Sequence, residues 1–440
     1  MRTVRAHLPW TLLGALVAAA LWTLLLTSPA GAAGSCDRVA SPAGSDSNTG
    51  TAASPLKTAE RLIEVLANGQ TGCLRAGTFE AHDAFEVRGP GITLTSYPGE
   101  RATIKGLLKI HQTAAGMTVR DLNIDGRSAY NMGPMVFAAN VSFDNVDVTN
   151  HNTGICFILG PIDPAYGRAV NTVIEDSSIH HCGRLPSQNG DHGIYIQHST
   201  GVIIRNNWIH DNADRGIQLY PDSQGTKVYG NVIDGNGEGV IFSGNEVTAS
   251  SNNLVYDNVI SNSKVRWNVE SYWSDGVVGS GNIVRDNCVW ASNATSQAGY
   301  YNTDGGILPR DAGGEGYNTS GNVIAKPKFV DAANGNFKLQ GDSPCQAGAR
   351  VVKLSADDKR VNSGAKVELH GHVTPAKSVR VTIQIMRHGH WRKFAQTRVR
   401  PNGKFKLRKR LRGRLVTDRA RLRARAPRVG RSKPIAIRVR

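Results

Sequence analysis

From about residue 116 onward, apolar and polar positions alternate in short bursts that return at a nearly constant interval, without helical spacing. Seven segments share one form: GMTVRDLNIDG from Gly116, NVSFDNVDVTN from Asn140, NTVIEDSSIHH from Asn171, GVIIRNNWIHD from Gly201, GTKVYGNVIDG from Gly225, NNLVYDNVISN from Asn252 and GNIVRDNCVWA from Gly281. In each, a polar bend separates an apolar residue from another five positions on, as in Ile204 and Ile209 or Val228 and Ile233. The shared column Val119, Phe143, Ile174, Ile204, Val228, Val255, Val284 has spacings of 24, 31, 30, 24, 27 and 29. Periods in this range mark a stacked repeat. A turn rich in Asn, Asp and Gly then leads into a second alternating strand: GICFIL, GIYIQH, GIQLYP, GVIFSG. Units of two or three short strands with no helix between them bury their apolar residues by parallel stacking, about 4.8 Å apart. The pattern predicts an all-β fold, a right-handed parallel β-helix.

At the bend, Asn207, Asn231, Asn258 and Asn287 fall in one column, preceded by Leu122, Val146 and Ser177. Stacked Asn side chains bond to one another, so this column reads as a structural ladder. A parallel stack exposes an unpaired edge at its end and needs a cap. Pro55 to Gly69, with Leu62, Ile63, Val65 and Leu66 at helical spacing, is the candidate capping helix. Beyond residue 350 the strands KVELHGHV, VRVTIQIMRHGHWRKFAQTRV, NGKFKLRKRL and RARLRARA predict a small β-sandwich. Val381, Ile383, Ile385 and Trp391 are its expected core, with alternate Arg and Lys facing solvent.

The segment VASPAGSDSNTGTAASPLKTAERLIEVLANGQTGCLRAGTF resembles the opening of secreted right-handed β-helix proteins related to pectate lyases and alginate-modifying enzymes. KPKFVDAANGNFKLQGDSPCQAGA looks like their closing segment, so the resemblance runs from about Cys36 to Ala349. It implies lyase, epimerase, hydrolase or non-catalytic glycan-binding activity, and fold alone does not choose among them. The Asp-Pro-His-Asp motif of mannuronan epimerases, the polygalacturonase motifs and the Trp-Ile-Asp-His motif of a major pectate lyase group are absent; GDHGIY at Gly190 only partly echoes the epimerase pattern. HWRKF followed by PNGKF resembles bacterial immunoglobulin-like modules appended to exported enzymes. The expected division is 1–33 signal peptide, 34–350 β-helix and 351–440 immunoglobulin-like module.

Composition adds a compartment and a partner. Arg2 and Arg5, the apolar run Leu12 to Leu26 and the small residues Ser28 to Ala33 have the order of a secretory signal, with an uncleaved N-terminal anchor as the alternative. Export to the outside or to the cell envelope makes the six cysteines disulfide partners. Neighbour-only contacts favour Cys36 with Cys73, Cys156 with Cys182, and Cys288 with Cys345. Residues 351–440 hold 27 Lys or Arg against 4 Asp or Glu, a net +23, while residues 1–350 carry −6. A local excess of this size suits an anionic glycan, a wall polymer or a membrane surface, and export argues against nucleic acid.

Aligning the second strands places Asp191-His192-Gly193, Asp214-Arg215-Gly216 and Gly237-Glu238-Gly239 in register. His192, Arg215 and Glu238 then form one column, and Asp191 lies over Asp214. Ile194, Ile217 and Val240 point inward, so Tyr195, Gln218 and Ile241, and two positions on Gln197, Tyr220 and Ser243, point outward as a shallow polar wall. Such a wall suits removal of the C5 proton of a uronate, which needs a carboxylate neutraliser, a base and an acid. Arg215 fits the first role, His192 held by Asp191 the second and Tyr195 the third, with the last two exchangeable. Gln197, His198, Gln218, Tyr220 and Glu238 are candidate substrate-binding residues. An inert surface ion-pair ladder of the same residues is the competing reading. Hydrolysis needs two carboxylates about 5 to 9.5 Å apart, for which Asp191 and Asp214 are the candidates. A second column, His180, His210 and Asp234, offers metal-ligand types without a closed set. The residues single out no cofactor, and calcium is the candidate that uronate chemistry would take. Trp267, Tyr272, Trp273, Trp290, Tyr300 and Tyr301 crowd the last coils and suit either sugar stacking or burial.

Overall fold

A computed structural model describes residues 36–273, 276–291, 306–308, 310–311, 314–347, 351–362, 364–374, 380–387, 390–400, 404–411, 419–426 and 430–439. The expected signal peptide, Tyr300 and Tyr301 lie outside these residues. The chain forms a right-handed parallel β-helix, as the repeat predicts. The column read from the sequence is the register observed: Val119 pairs with Phe143, Phe143 with Ile174, and so on through Ile204, Val228 and Val255 to Val284. All seven are fully buried. A second column, Ile124, Val148, Ile179, Ile209, Ile233, Ile260 and Val289, stacks in the same way. Each such side chain contributes about 1.5–3 kcal/mol on leaving water.

The polar bend has a conformational cause. Asp121, Asn145, Asp176, Asn206, Gly230, Asp257 and Asp286, one per coil, all take left-handed backbone with φ between 53° and 70°. Asp, Asn and Gly tolerate that region best. The next position carries the predicted ladder: Nδ2 of Asn207 donates to Oδ1 of Asn231 at 3.0 Å, Asn231 to Asn258 at 2.9 Å, Asn258 to Asn287 at 3.0 Å and Asn287 to Asn322 at 3.0 Å. Earlier coils close the bend with buried Leu122 and Val146. Two further Asn pairs not read from the sequence, Asn212 with Asn236 and Asn253 with Asn282, use the same bond at other corners.

The capping helix is shorter than expected, Ala59–Val65, with the Thr58 hydroxyl accepting from the Arg61 amide. Leu62 and Leu66 close over Gly72 of strand Thr71–Leu74, where a Cβ would meet their methyls. The closing segment folds back along the middle coils, where Phe337 packs against Trp208 and His210 with ring centroids 5.8 and 4.5 Å away. The three disulfides are those expected: Cys36–Cys73, Cys156–Cys182 and Cys288–Cys345.

Residues 351–439 contain an antiparallel sheet of Val351–Ala356, Lys366–Thr374 and Lys404–Arg410, and a second sheet of six short strands. They share a core that includes Leu369, Val381, Ile383, Ile385, Phe405, Leu422 and Ile437. Trp391 is not part of it: it pairs with Met386 on the outward side of its sheet, half-buried, with the Arg423 guanidinium 4.2 Å above its ring.

Candidate functional site

Strands Phe157–Leu159, Ile194–Ile196, Arg215–Leu219, Glu238–Ser243 and Val269–Tyr272 stack in parallel to make the wall. The register aligns Ile194, Ile217 and Val240, all fully buried, and places Tyr195, Gln218 and Ile241 in the outward column between them and the next inward residue. Arg215 stands opposite Glu238, as the sequence alignment required.

The wall is recessed rather than shallow. Gln197, Gln218 and Ile241 point outward yet are buried, and Tyr195 and Tyr220 are half-buried. One side is formed by residues 183–191, folded back over the coil below. Amides of Asn189, Gly190 and Asp191 donate to the Asp214 carboxylate at 3.0, 2.7 and 2.7 Å, and Ser187 adds its hydroxyl. The other side is tied by His198, whose Nδ1 lies 2.7 Å from the Pro161 carbonyl.

This folding-back sets the partners of three of the candidate residues. Arg215 is buried, its Nε donates to Glu238 Oε2 at 3.0 Å, and its Nη1 and Nη2 donate to the carbonyl and side chain of Asn189 at 3.0 and 2.6 Å. A guanidinium engaged in this way braces the loop rather than waiting for a carboxylate. Asp191 does not hold His192 either, because its oxygens are gripped by Nε and Nη2 of Arg184. Asp191 and Asp214 are both occupied, the first by Arg184 and the second by the loop amides.

What remains on the wall is a different constellation. The His192 imidazole is buried and meets the Tyr195 ring edge-on at 5.0 Å, and Tyr195 in turn stacks on Tyr220 at 6.4 Å and 13°. Burial holds His192 well below the ordinary histidine range, the Arg215 charge adds to this, and Asp191 and Gln218 act in the opposite sense. The imidazole is therefore neutral near pH 7. Burial and the neighbouring Tyr220 push the Tyr195 phenol up to about 12, so it stays protonated. Four buried polar atoms on this face have no hydrogen-bond partner: His192 Nδ1, Gln197 Oε1, Gln218 Oε1 and Glu238 Oε1. Buried polar groups are normally paired, and these four acceptors on one face remain open to a further donor. Sequence reasoning grouped these residues by register but had no signal for the loop that buries them.

The second column forms as aligned. His180 and His210 stack at 5.0 Å, His180 lies 3.2 Å from Asp147, and Asp234 accepts from Ser261 and from Asn262. Among the described residues no group of three or more His, Cys, Asp or Glu side chains is arranged to hold a metal ion. At the aromatic-rich end Trp273 is fully buried, whereas Tyr272 is exposed beneath the Arg266 guanidinium.

These features define a stacked-coil β-helix with a recessed polar wall, and comparison with known proteins agrees on the fold. A family described as "Right handed beta helix region" matches residues 135–335. The uncharacterized protein YwoF of Bacillus subtilis (strain 168) is 25% identical over 239 residues, covering 49% of this chain and 45% of that protein, so the chain spans under half the length of the curated relative it matches. Among solved structures, pectate lyase Pel9A is 15% identical at a TM-score of 0.40, with 70% of this chain and 91% of that one covered. A rhamnogalacturonan lyase is 12% identical at 0.42, covering 70% and 97%.

Proposed function

We propose that this protein acts on an acidic polysaccharide and that its wall removes the C5 proton of a uronate, as a lyase or a C5-epimerase. The observation that carries the reading is the pairing of a neutral, buried His192, its Nδ1 without a partner, with a protonated Tyr195 whose ring is 5.0 Å away. A base and an acid of these kinds, side by side, are what the reaction asks for. His192 accepts the C5 proton. In elimination the electron pair forms the C4–C5 double bond, the C4–O bond breaks and Tyr195 protonates the departing oxygen. In epimerisation Tyr195 returns a proton to the opposite face of C5. With Arg215 engaged elsewhere, the unpartnered carboxamide oxygens of Gln197 and Gln218 accept from sugar hydroxyls, and the stacked Tyr195 and Tyr220 rings support the sugar.

A second reading is a non-catalytic glycan-binding wall, favoured by the engagement of Arg215, Asp191 and Asp214 in loop bracing. In this picture residues 351–440 are a separate appended module and the protein works outside the cytoplasm. The discriminating experiment incubates the protein with alginate, pectate and glycosaminoglycans. Ultraviolet absorbance from an unsaturated uronate reports elimination, and deuterium uptake at C5 in heavy water reports epimerisation. Silence in both, with the polymer still bound, replaces the catalytic reading by the binding one.

A further inference from the structure

The six-stranded sheet of the C-terminal region carries an arrangement that its own folding does not require. Arg360 pairs with Arg438, and Arg438 with Arg419, so three arginines stand abreast on neighbouring strands. Arg425 faces Arg431, and Arg380 faces Arg398. Like charges directly opposite in a sheet are destabilising. All seven lie on the side away from the core and are exposed. None of the six strands contains Asp or Glu. The carboxylates of the region sit elsewhere: Glu368 pairs with Lys406 and Asp357 with His370, both on the three-stranded sheet, Asp358 follows Asp357 in sequence, and Asp418 lies outside the described residues. Both sheets are cationic, but the three-stranded one, with seven Lys or Arg on its strands, has Glu368 and the adjoining Asp357 among them, whereas the strands of the six-stranded one have no carboxylate.

We propose that the outward face of the six-stranded sheet, centred on Arg360, Arg419 and Arg438, binds an extended carboxylated polysaccharide running across the strands. The spacing supports this occupant: neighbouring strands lie about 4.8 Å apart, so the three guanidinium groups make one continuous cationic row along which an extended polyanion lies. Guanidinium groups match carboxylates in a two-pronged geometry. A bound polyanion also offsets the repulsion within the arginine row. A lipid surface fits less well, because the apolar residues of this face, Met386 and Trp391, occur together at one edge and Trp391 is covered by Arg423. The surface is independent of the chemistry assigned to the helix wall, and its occupancy does not depend on turnover there.

The test uses the full chain with calcium-free sodium polygalacturonate, measured by titration calorimetry at low and near-physiological salt. The triple variant Arg360→Gln, Arg419→Gln, Arg438→Gln should bind at least tenfold more weakly, with a shallower salt dependence and a melting temperature equal to or above that of the wild type. The matched variant Lys353→Gln, Lys366→Gln, Arg410→Gln on the other sheet should bind within about twofold of the wild type. Equal losses in both triples would show diffuse charge rather than a site and overturn the proposal. Tighter capture by phosphatidylglycerol vesicles than by the polymer, at equal anion concentration, would make a membrane the occupant and overturn it as well. A His192→Gln variant that loses turnover but keeps this affinity leaves the proposal intact.

Discussion

Arg215 and Glu238 occupy paired positions on adjacent coils, Nε donating to Oε2 at 3.0 Å, with both side chains almost wholly withdrawn from solvent. The pair is the floor on which the loop carrying Asn189 rests, since the remaining guanidinium donors reach that residue. Removing one member of a buried pair leaves the other charged and unsatisfied, at a cost of about 3–5 kcal/mol. Arg215→Ala should therefore lower the melting temperature sharply and open residues 183–191 to limited proteolysis. Arg215→Ala with Glu238→Ala should recover part of the loss, because the stranded carboxylate is gone. A melting temperature unchanged in the single variant would mean that the pair does not brace the loop.

The Asn ladder predicts an asymmetric cost. Oδ1 of Asn231 accepts from both the backbone amide and Nδ2 of Asn207, while its own Nδ2 donates to Asn258 and to the Ile204 carbonyl. Asn231→Ala strands donors and acceptors on two coils at once, each buried orphan costing about 1–3 kcal/mol. Thermal unfolding followed by circular dichroism should show a larger loss than Asn322→Ala, whose side chain sits at the end of the row and accepts from Asn287 alone on the ladder. Equal losses would contradict the cumulative nature of the row.

The β-helix was legible because each coil repeats the same demand: an apolar residue inward, a left-handed bend, another apolar residue. Asn206, Asp257 and Asp286 announce the bend through their side chains, and Asn231 and Asn258 announce the ladder. The site was legible only to the level of register. Arg215 and Glu238 fell in one column as expected, but whether that column faces water depends on residues 183–191, whose anchors to Asp214 are backbone amides that no side-chain pattern encodes. Trp391 illustrates the same limit, since strand alternation across a bulge between Ile383 and Gln384 reverses which side an aromatic takes.

Acid should destabilise the fold through His192. In the unfolded chain its imidazole gains a proton below about pH 6.5, whereas the folded site keeps it neutral to well below that. Between those limits the unfolded state binds more protons, so stability falls as pH is lowered. His111 and His181 are depressed in the same sense, mainly by burial. The melting temperature should decline as pH is taken from about 7 to about 5, and His192→Gln should flatten part of that slope. Identical slopes for the two proteins would show that His192 is solvated and charged in the folded state.

The sharpest separation of chemistry from packing comes at Tyr195. Its ring supports two neighbours, His192 edge-on and Tyr220 stacked, and its hydroxyl is the only part assigned to proton transfer. Tyr195→Phe keeps both ring contacts and deletes the acid, and it also removes a phenol that burial holds protonated at a pKa of about 12. On a polymer that the wild type turns over, kcat should fall about 10²–10⁴-fold, the range of a lost general acid, with KM and melting temperature nearly unchanged. Tyr220→Phe, which alters the same stack one coil away, should leave kcat within a few fold and act chiefly on KM, because its ring supports the sugar without giving up a proton. If the two variants lost activity equally, the tyrosines would form a binding surface, and proton delivery would have to be sought elsewhere on the coils.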